Sequence, residues 1–149
     1  MNLVTGGSGF VGGHIVEQLI DRGEKVRVFD RHPPEVCAEE VEFVEGDIRN
    51  ESDVSKAMDG VDVVYHNVAL VPVTKAGEKF RKVNVGGTRT AVKTAAAKGV
   101  ERFIHMGSSS VYALDKLPIT EESLLRPKGP YSESKLKSDE IVLQADGLD

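Results

Sequence analysis

Cysteine is all but missing from this chain. Cys37 stands alone among 149 residues, so no intramolecular disulfide can form. No Cys/His cluster has the spacing of a zinc site either, so no metal role is expected. Both points favour a reducing compartment. An excess of basic residues is missing too: 19 Lys and Arg against 24 Asp and Glu leave a formal charge of −5. The electrostatic footprint of a nucleic-acid binder is therefore absent. The most basic stretch, Lys75 to Arg89, interleaves its charges with Glu78 and apolar residues at helical intervals and reads as a solvated helix face. No run approaches the roughly 18 apolar residues of a membrane span. The opening Met1-Asn2-Leu3-Val4 passes straight into glycine, without the charged and apolar regions of an export signal. Nucleic acid and membrane are not expected as partners, and a cytoplasmic location is. Internal repeats and low-complexity segments are lacking as well.

What the chain does have is enough apolar content, 40 % of residues, to bury one core, so one domain over residues 1–149 is expected. Leu3 to Thr5 reads as a strand that stops at Gly6, and Phe10 to Ile20 as an amphipathic helix. Further strands are expected at Lys25 to Asp30, Val41 to Glu45, Val61 to Tyr65 and Glu101 to Met106. Helices are expected at Ser52 to Met58, Lys79 to Lys98 and Pro130 to Leu143, with Gly23, Gly60 and Gly99 as stops. Proline at the first turn of the last helix suits its missing N–H. Apolar strands alternating with helices argue for an α/β fold, a doubly wound parallel sheet of the Rossmann type covered on both faces. Five strands are visible where the two-halved dinucleotide fold has six.

Glycines recur at three-residue intervals in Thr5-Gly6-Gly7-Ser8-Gly9-Phe10-Val11-Gly12. A tight turn needs Gly6, close approach of backbone N–H groups to a pyrophosphate needs Gly9, and close helix-to-strand packing suits Gly12. The positive end of the following helix then faces the phosphates. Asp30, about 20 residues on at the tip of the second strand, is placed to bind a ribose 2′-hydroxyl. Its carboxylate would repel a 2′-phosphate, which favours NAD over NADP, although Arg31 argues the other way. Asp47 and Ile48, after the third strand, are candidates to face the adenine; Asp47 reads equally as a turn or helix cap.

Tyr131 and Lys135 lie four residues apart on one helix face. A nearby ammonium favours the phenolate, and such a tyrosine can exchange a proton with a hydroxyl while hydride moves to or from a nicotinamide. In Gly107-Ser108-Ser109-Ser110-Val111-Tyr112, after strand five, a serine can hydrogen-bond the reacting oxygen. His14 reads as a surface residue, and His66 and His105 as strand-end packing residues.

These motifs, with His66-Asn67-Val68-Ala69, Asn84-Val85-Gly86-Gly87-Thr88 and Tyr131-Ser132-Glu133-Ser134-Lys135, make the chain resemble the extended short-chain dehydrogenase/reductase family, also called the NAD-dependent epimerase/dehydratase family. The resemblance implies that Tyr131 is the catalytic acid/base. Lys135 would bind the nicotinamide ribose and lower the tyrosine pKa, and Ser108, or its neighbour Ser109, would bond the substrate oxygen. Ala69 would line the cofactor and Asn84 would support the active site. Gly6, Gly9, Phe10, Val11, Gly12, Asp30, Asp47, Ile48, Tyr131 and Lys135 complete the expected NAD contacts. The implied activity is an NAD-dependent epimerase or oxidoreductase acting on a carbinol, most naturally of a nucleotide sugar, in a homodimer of the family's usual kind. A hydroxysteroid or flavonoid-type alcohol dehydrogenase and a non-catalytic dinucleotide-binding regulator are the alternatives.

The sequence departs from the family pattern in three places. The dehydratase branch carries an acid where Ser110 stands, which argues against water elimination. Ala113 replaces a usual glycine, and Val68-Ala69 a usual alanine pair. The sixth strand and the C-terminal substrate domain are expected to be missing, leaving an incomplete Rossmann domain. An exposed edge at strand five and limited solubility would follow.

Overall fold

The computed structural model describes residues 1–72, 76–115 and 117–149. Lys75, the first residue of the basic stretch, lies outside the described residues. Five strands are formed: β1 (Asn2–Thr5), β2 (Val26–Asp30), β3 (Glu42–Glu45), β4 (Val63–His66) and β5 (Arg102–His105). They pair in the order β3-β2-β1-β4-β5, and every pairing is parallel. The order reverses between β1 and β4. In an open parallel sheet that reversal parts the two following loops and leaves a crevice at the carboxyl ends of the strands.

Alternation along the strands sorts the core into two layers. Leu3, Phe29, Val64 and Phe103 face helices α2 (Glu51–Ala57) and α4 (Gly87–Lys98), where they meet Val54, Met58 and Ala91. Val4, Val26 and Val28 face helix α1 (Phe10–Asp21) through Val16 and Leu19. All four residues of β1 are buried. The expected continuous burial fails at the sheet's edges: Val44 is the only buried residue of β3, and Phe103 of β5. An edge strand has a neighbour on one side only, so its other positions meet water. Ile104, on the opposite face from Phe103, is 41 % exposed.

One expected helix, Lys79 to Lys98, is three segments: α3 (Glu78–Phe80), a π turn (Arg81–Gly86) and α4. The π turn widens the backbone around Asn84. Its carbonyl accepts the Thr88 hydroxyl at 2.6 Å and the Ser138 hydroxyl at 2.9 Å. Those side-chain bonds compensate for the disturbed helical ladder, and such turns recur at functional sites. Gly99, left-handed at φ 70°, ends α4. Beyond β5, Ser109–Val111 form one 3₁₀ turn, and α5 (Pro130–Leu143) packs against the π turn and α4 with Pro130 at its first turn.

No sixth strand forms among the described residues. Asp149 nevertheless donates its N–H to Glu101 and accepts from Phe103 N–H at 2.9 Å, the bond pair of a parallel strand flanking β5. No helix of the described residues is long and apolar enough to cross a membrane.

Thr88 is 2 % exposed and fastened on both sides. Thr88→Val keeps its shape but leaves the Asn84 carbonyl and a ring nitrogen of His66 short of partners. A loss of about 1–3 kcal/mol is expected in urea-induced unfolding.

Candidate active site

The crevice begins where β1 meets α1. Gly6 holds φ at 71°, and a Cβ there would lie 2.9 Å from the backbone nitrogen of Val68 in the β4 loop. A Cβ on Gly12 would lie 2.1 Å from the Gly6 carbonyl, so only glycine lets α1 seat this close to the turn. Gly9 begins α1 with no side-chain cap, and the first helical turn carries no acid. The N–H groups of Phe10 and Val11 therefore have no partner within the helix, and the positive end of α1 is directed at the crevice.

The cavity in front of this turn has a volume of about 780 Å³. Every glycine-turn residue singled out in the sequence, Gly6, Gly9, Phe10, Val11 and Gly12, lies on its wall, as do Asp30, Asp47, Ile48 and Ala69. Phe10 stands at the rim, 83 % exposed, while Ile48 is buried at the floor. The Asp30 carboxylate accepts the N–H of Ser8 at 3.2 Å and of Arg31 at 2.7 Å, which ties the tip of β2 to the glycine turn. Asp47 is not the cap of α2; Asn50 is, through Ser52 N–H. Instead Asp47 accepts both the backbone N–H and the Nε of Arg49, and this bonding holds its carboxyl at about 2. Arg31, Arg49 and Lys79 add positive charge to the wall. The fit to a dinucleotide rests on this combination: a turn that excludes Cβ atoms, free N–H groups, and a carboxylate at the second strand tip.

Asn84 lies behind the wall, 2 % exposed. Its Oδ1 accepts Leu70 N–H at 2.7 Å, while its Nδ2 donates to the Leu70 carbonyl and to Ser134 Oγ at 2.9 Å. Leu70 is part of the cavity wall and Ser134 belongs to α5, so this one side chain joins the crevice to the last helix.

Ser108, Tyr131 and Lys135 do not line the cavity as bounded by its wall. Ser108 follows β5, and Tyr131 and Lys135 lie on α5. Tyr131 is half-buried, its ring edge-on to Phe80 at 6.0 Å, next to the wall residue Lys79. Lys135 is 4 % exposed and donates to the carbonyl of Met106, two residues before Ser108. Burial pushes the Lys135 ammonium below its ordinary pKa, opposed by the charge of Asp139. Ser108 Oγ lies 2.9 Å from Ser110 Oγ and accepts Ser110 N–H, whereas Ser109 is exposed at the start of the 3₁₀ turn.

The sequence reading passed over two sets of groups. The first is a directed chain through the buried His66. Thr88 donates its hydroxyl hydrogen to Asn84, so it accepts from His66 Nε2–H at 3.1 Å; Nδ1 then accepts from Thr5 Oγ1 at 2.8 Å. The second is His105, whose Nε2 lies 3.1 Å from Asp139 Oδ1. Asp139 follows Lys135 by the interval that separates Lys135 from Tyr131, a signal present in the sequence. His14 is exposed and bonded to Glu17, as a surface residue.

The model of the NAD dependent epimerase/dehydratase family matches residues 2–147. The chain belongs to this family. It is 34 % identical over 163 residues to a 3 beta-hydroxysteroid dehydrogenase/Delta 5-->4-isomerase of Mycobacterium tuberculosis, covering 99 % of this chain and 43 % of that one. Among solved structures, a short-chain dehydrogenase/reductase superfamily protein from Agrobacterium tumefaciens with bound NAD superimposes with a TM-score of 0.91 at 35 % identity, over 100 % of this chain and 47 % of that one. The dTDP-glucose 4,6-dehydratase DesIV of Streptomyces venezuelae, also solved with NAD, gives 0.89 at 33 % identity, over 99 % and 53 %. The chain thus spans about half the length of the relatives it matches.

His66 is held neutral: burial, then His105 and Lys135, push its pKa well below the ordinary value. Unfolding frees it to bind a proton below about pH 6.5, so its contribution to stability is complete above that pH and declines as the medium becomes more acid. Chemical unfolding from pH 8 to pH 5 should show this decline, and His66→Gln should flatten it.

Proposed function

We propose that this chain binds NAD in the glycine crevice and supplies the proton-transfer groups of an epimerase or oxidoreductase acting on a carbinol. The observation that carries the reading is the join made by Asn84 between the wall of the dinucleotide-shaped cavity and α5, the helix that presents Tyr131 and Lys135. The helix α1 N-terminus and the N–H groups of Phe10 and Val11 would meet the pyrophosphate. Asp30 would bond the adenine ribose, Asp47 and Ile48 would flank the adenine, and Ala69 would line the cofactor. NAD held there would supply the hydride acceptor and donor for the carbinol carbon.

Tyr131 would hold the moving proton. An adjacent ammonium favours the ionised form of a phenol. Lys135 would supply that charge and bond the nicotinamide ribose. Ser108 would donate to the reacting oxygen and Asn84 would keep α5 in register with the crevice. Ser110, lacking a carboxyl, would not remove the ring proton that water elimination requires. A nucleotide sugar is the substrate class favoured by the likeness to the dTDP-glucose enzyme. The hydroxysteroid relative supports a sterol carbinol as the second reading. An assay of the intact gene product on both substrate classes decides between them.

Two outcomes test the assignment. Tyr131→Phe should lower turnover of the intact gene product by about 10²–10⁴-fold while leaving NAD affinity nearly unchanged; undiminished turnover would overturn the role. In calorimetric titrations NAD should bind more tightly than NADP, and Asp30→Ala should erase most of that preference by weakening NAD about 10- to 100-fold, the worth of a charged hydrogen bond.

A further inference from the structure

We propose that Asp139 and His105 form a positioning pair for Lys135, an Asp–His–Lys series that keeps the ammonium charged and fixed at the head of the serine loop. The proposal deepens the reading of Lys135 and Tyr131 given above and rests on it. Tyr131, Lys135 and Asp139 follow one another at four-residue steps and share one face of α5. Opposite them, at the end of β5, the His105 side chain is 9 % exposed and that of Asp139 23 %.

The imidazole stands between the two charges. Its Nε2 is 3.1 Å from Asp139 Oδ1 and 3.5 Å from Lys135 Nζ. A carboxylate only accepts hydrogen bonds, so Nε2 carries the hydrogen and gives it to Asp139. Nδ1 is then the bare nitrogen, and it is buried with no partner. Lys135 makes no ion pair with Asp139 within 4.0 Å and donates instead to the Met106 carbonyl. The negative charge of Asp139 therefore reaches the ammonium past a single ring nitrogen, Nε2, which lies 3.1 Å from the carboxylate and 3.5 Å from Nζ.

That charge matters because the ammonium sits in a costly place. Burial favours the neutral amine and Asp139 opposes it. The other groups near Lys135 offer little help. Tyr131 on the same helix is a phenol, His66 on β4 is neutral, and Asn84 and Ser134 are uncharged. Without Asp139 the amine would spend more of its time neutral at physiological pH, and the tyrosine would lose the charge that favours its phenolate. Packing of α5 onto β5 alone would need neither the carboxylate charge nor a particular ring tautomer.

The test follows lysine ¹³Cε resonances of the chain by NMR against pH, with Lys135 assigned by its loss in Lys135→Met. Asp139→Asn keeps an acceptor for Nε2–H and removes the charge. It should lower the Lys135 midpoint by about one pH unit, a tenfold change in proton affinity, and Asp139→Glu should restore it. A midpoint unchanged in Asp139→Asn would overturn the proposal. So would ring ¹⁵N shifts in the unmodified chain placing the His105 hydrogen on Nδ1, a measurement that needs no variant to fold. NADH fluorescence titration of Lys135→Met separates the two levels. A shifted midpoint with unaltered NADH affinity supports the positioning pair and overturns the cofactor role of Lys135. Weakened NADH binding with an unshifted midpoint does the reverse.

Discussion

The contact between the first helix and the first turn sets everything else in this molecule. Gly12 lies so near the Gly6 carbonyl that no side chain could be placed between them, and Gly6 lies as near the loop that leaves β4. These approaches seat the N-terminus of α1 over the end of β1 and draw the β4 loop against it. The strand order supplies a gap between the two loops, and the glycines determine how narrow it becomes. With bulkier residues the helix would stand off, and its unbonded N–H groups would open to water instead of a wall holding Asp30 and Ala69.

A second constraint carries the geometry from the crevice to α5. Asn84 uses its carboxamide oxygen, its nitrogen and its backbone carbonyl together, and reaches Leu70, Ser134, Thr88 and Ser138. Those partners belong to a loop and two helices. Each bond alone is modest, about 1 kcal/mol net, but breaking one leaves a buried polar group unsatisfied, which costs more. The site is held as a unit for that reason: the wall of the cavity cannot shift far without disturbing the helix of Tyr131 and Lys135.

The glycine turn was legible in the sequence because a backbone that tolerates no Cβ leaves its mark in composition. The parallel sheet was legible from alternating strands and helices, and the Tyr131/Lys135 pair from helical spacing. The π turn was not. Apolar periodicity records which residues face the core, whereas the bonds that maintain the widened turn come from Thr88 and from Ser138, 54 positions beyond Asn84. Asp47 was legible only in part: of the turn and helix caps that a carboxylate after a strand suggests, it forms the turn cap, on Arg49 N–H, because Asn50 lies nearer to α2. His105 and Asp139 meet across 34 positions, so only the three-dimensional fold could pair them.

The π turn also sets the phase of the helices on either side of it. Successive residues of an α-helix advance by roughly 100° around the axis, so one residue of surplus rotates everything beyond it by that angle. Phe80, ahead of the turn, lies against Tyr131, while Ala91 and Ala95, after it, lie in the core. An unbroken helix through the same sequence would set Ala91, eleven residues beyond Phe80, within about 20° of the same face, and the surplus residue turns it away from that face. The surplus residue thus works as a phase corrector, letting a single stretch of chain serve the tyrosine at one end and the sheet at the other.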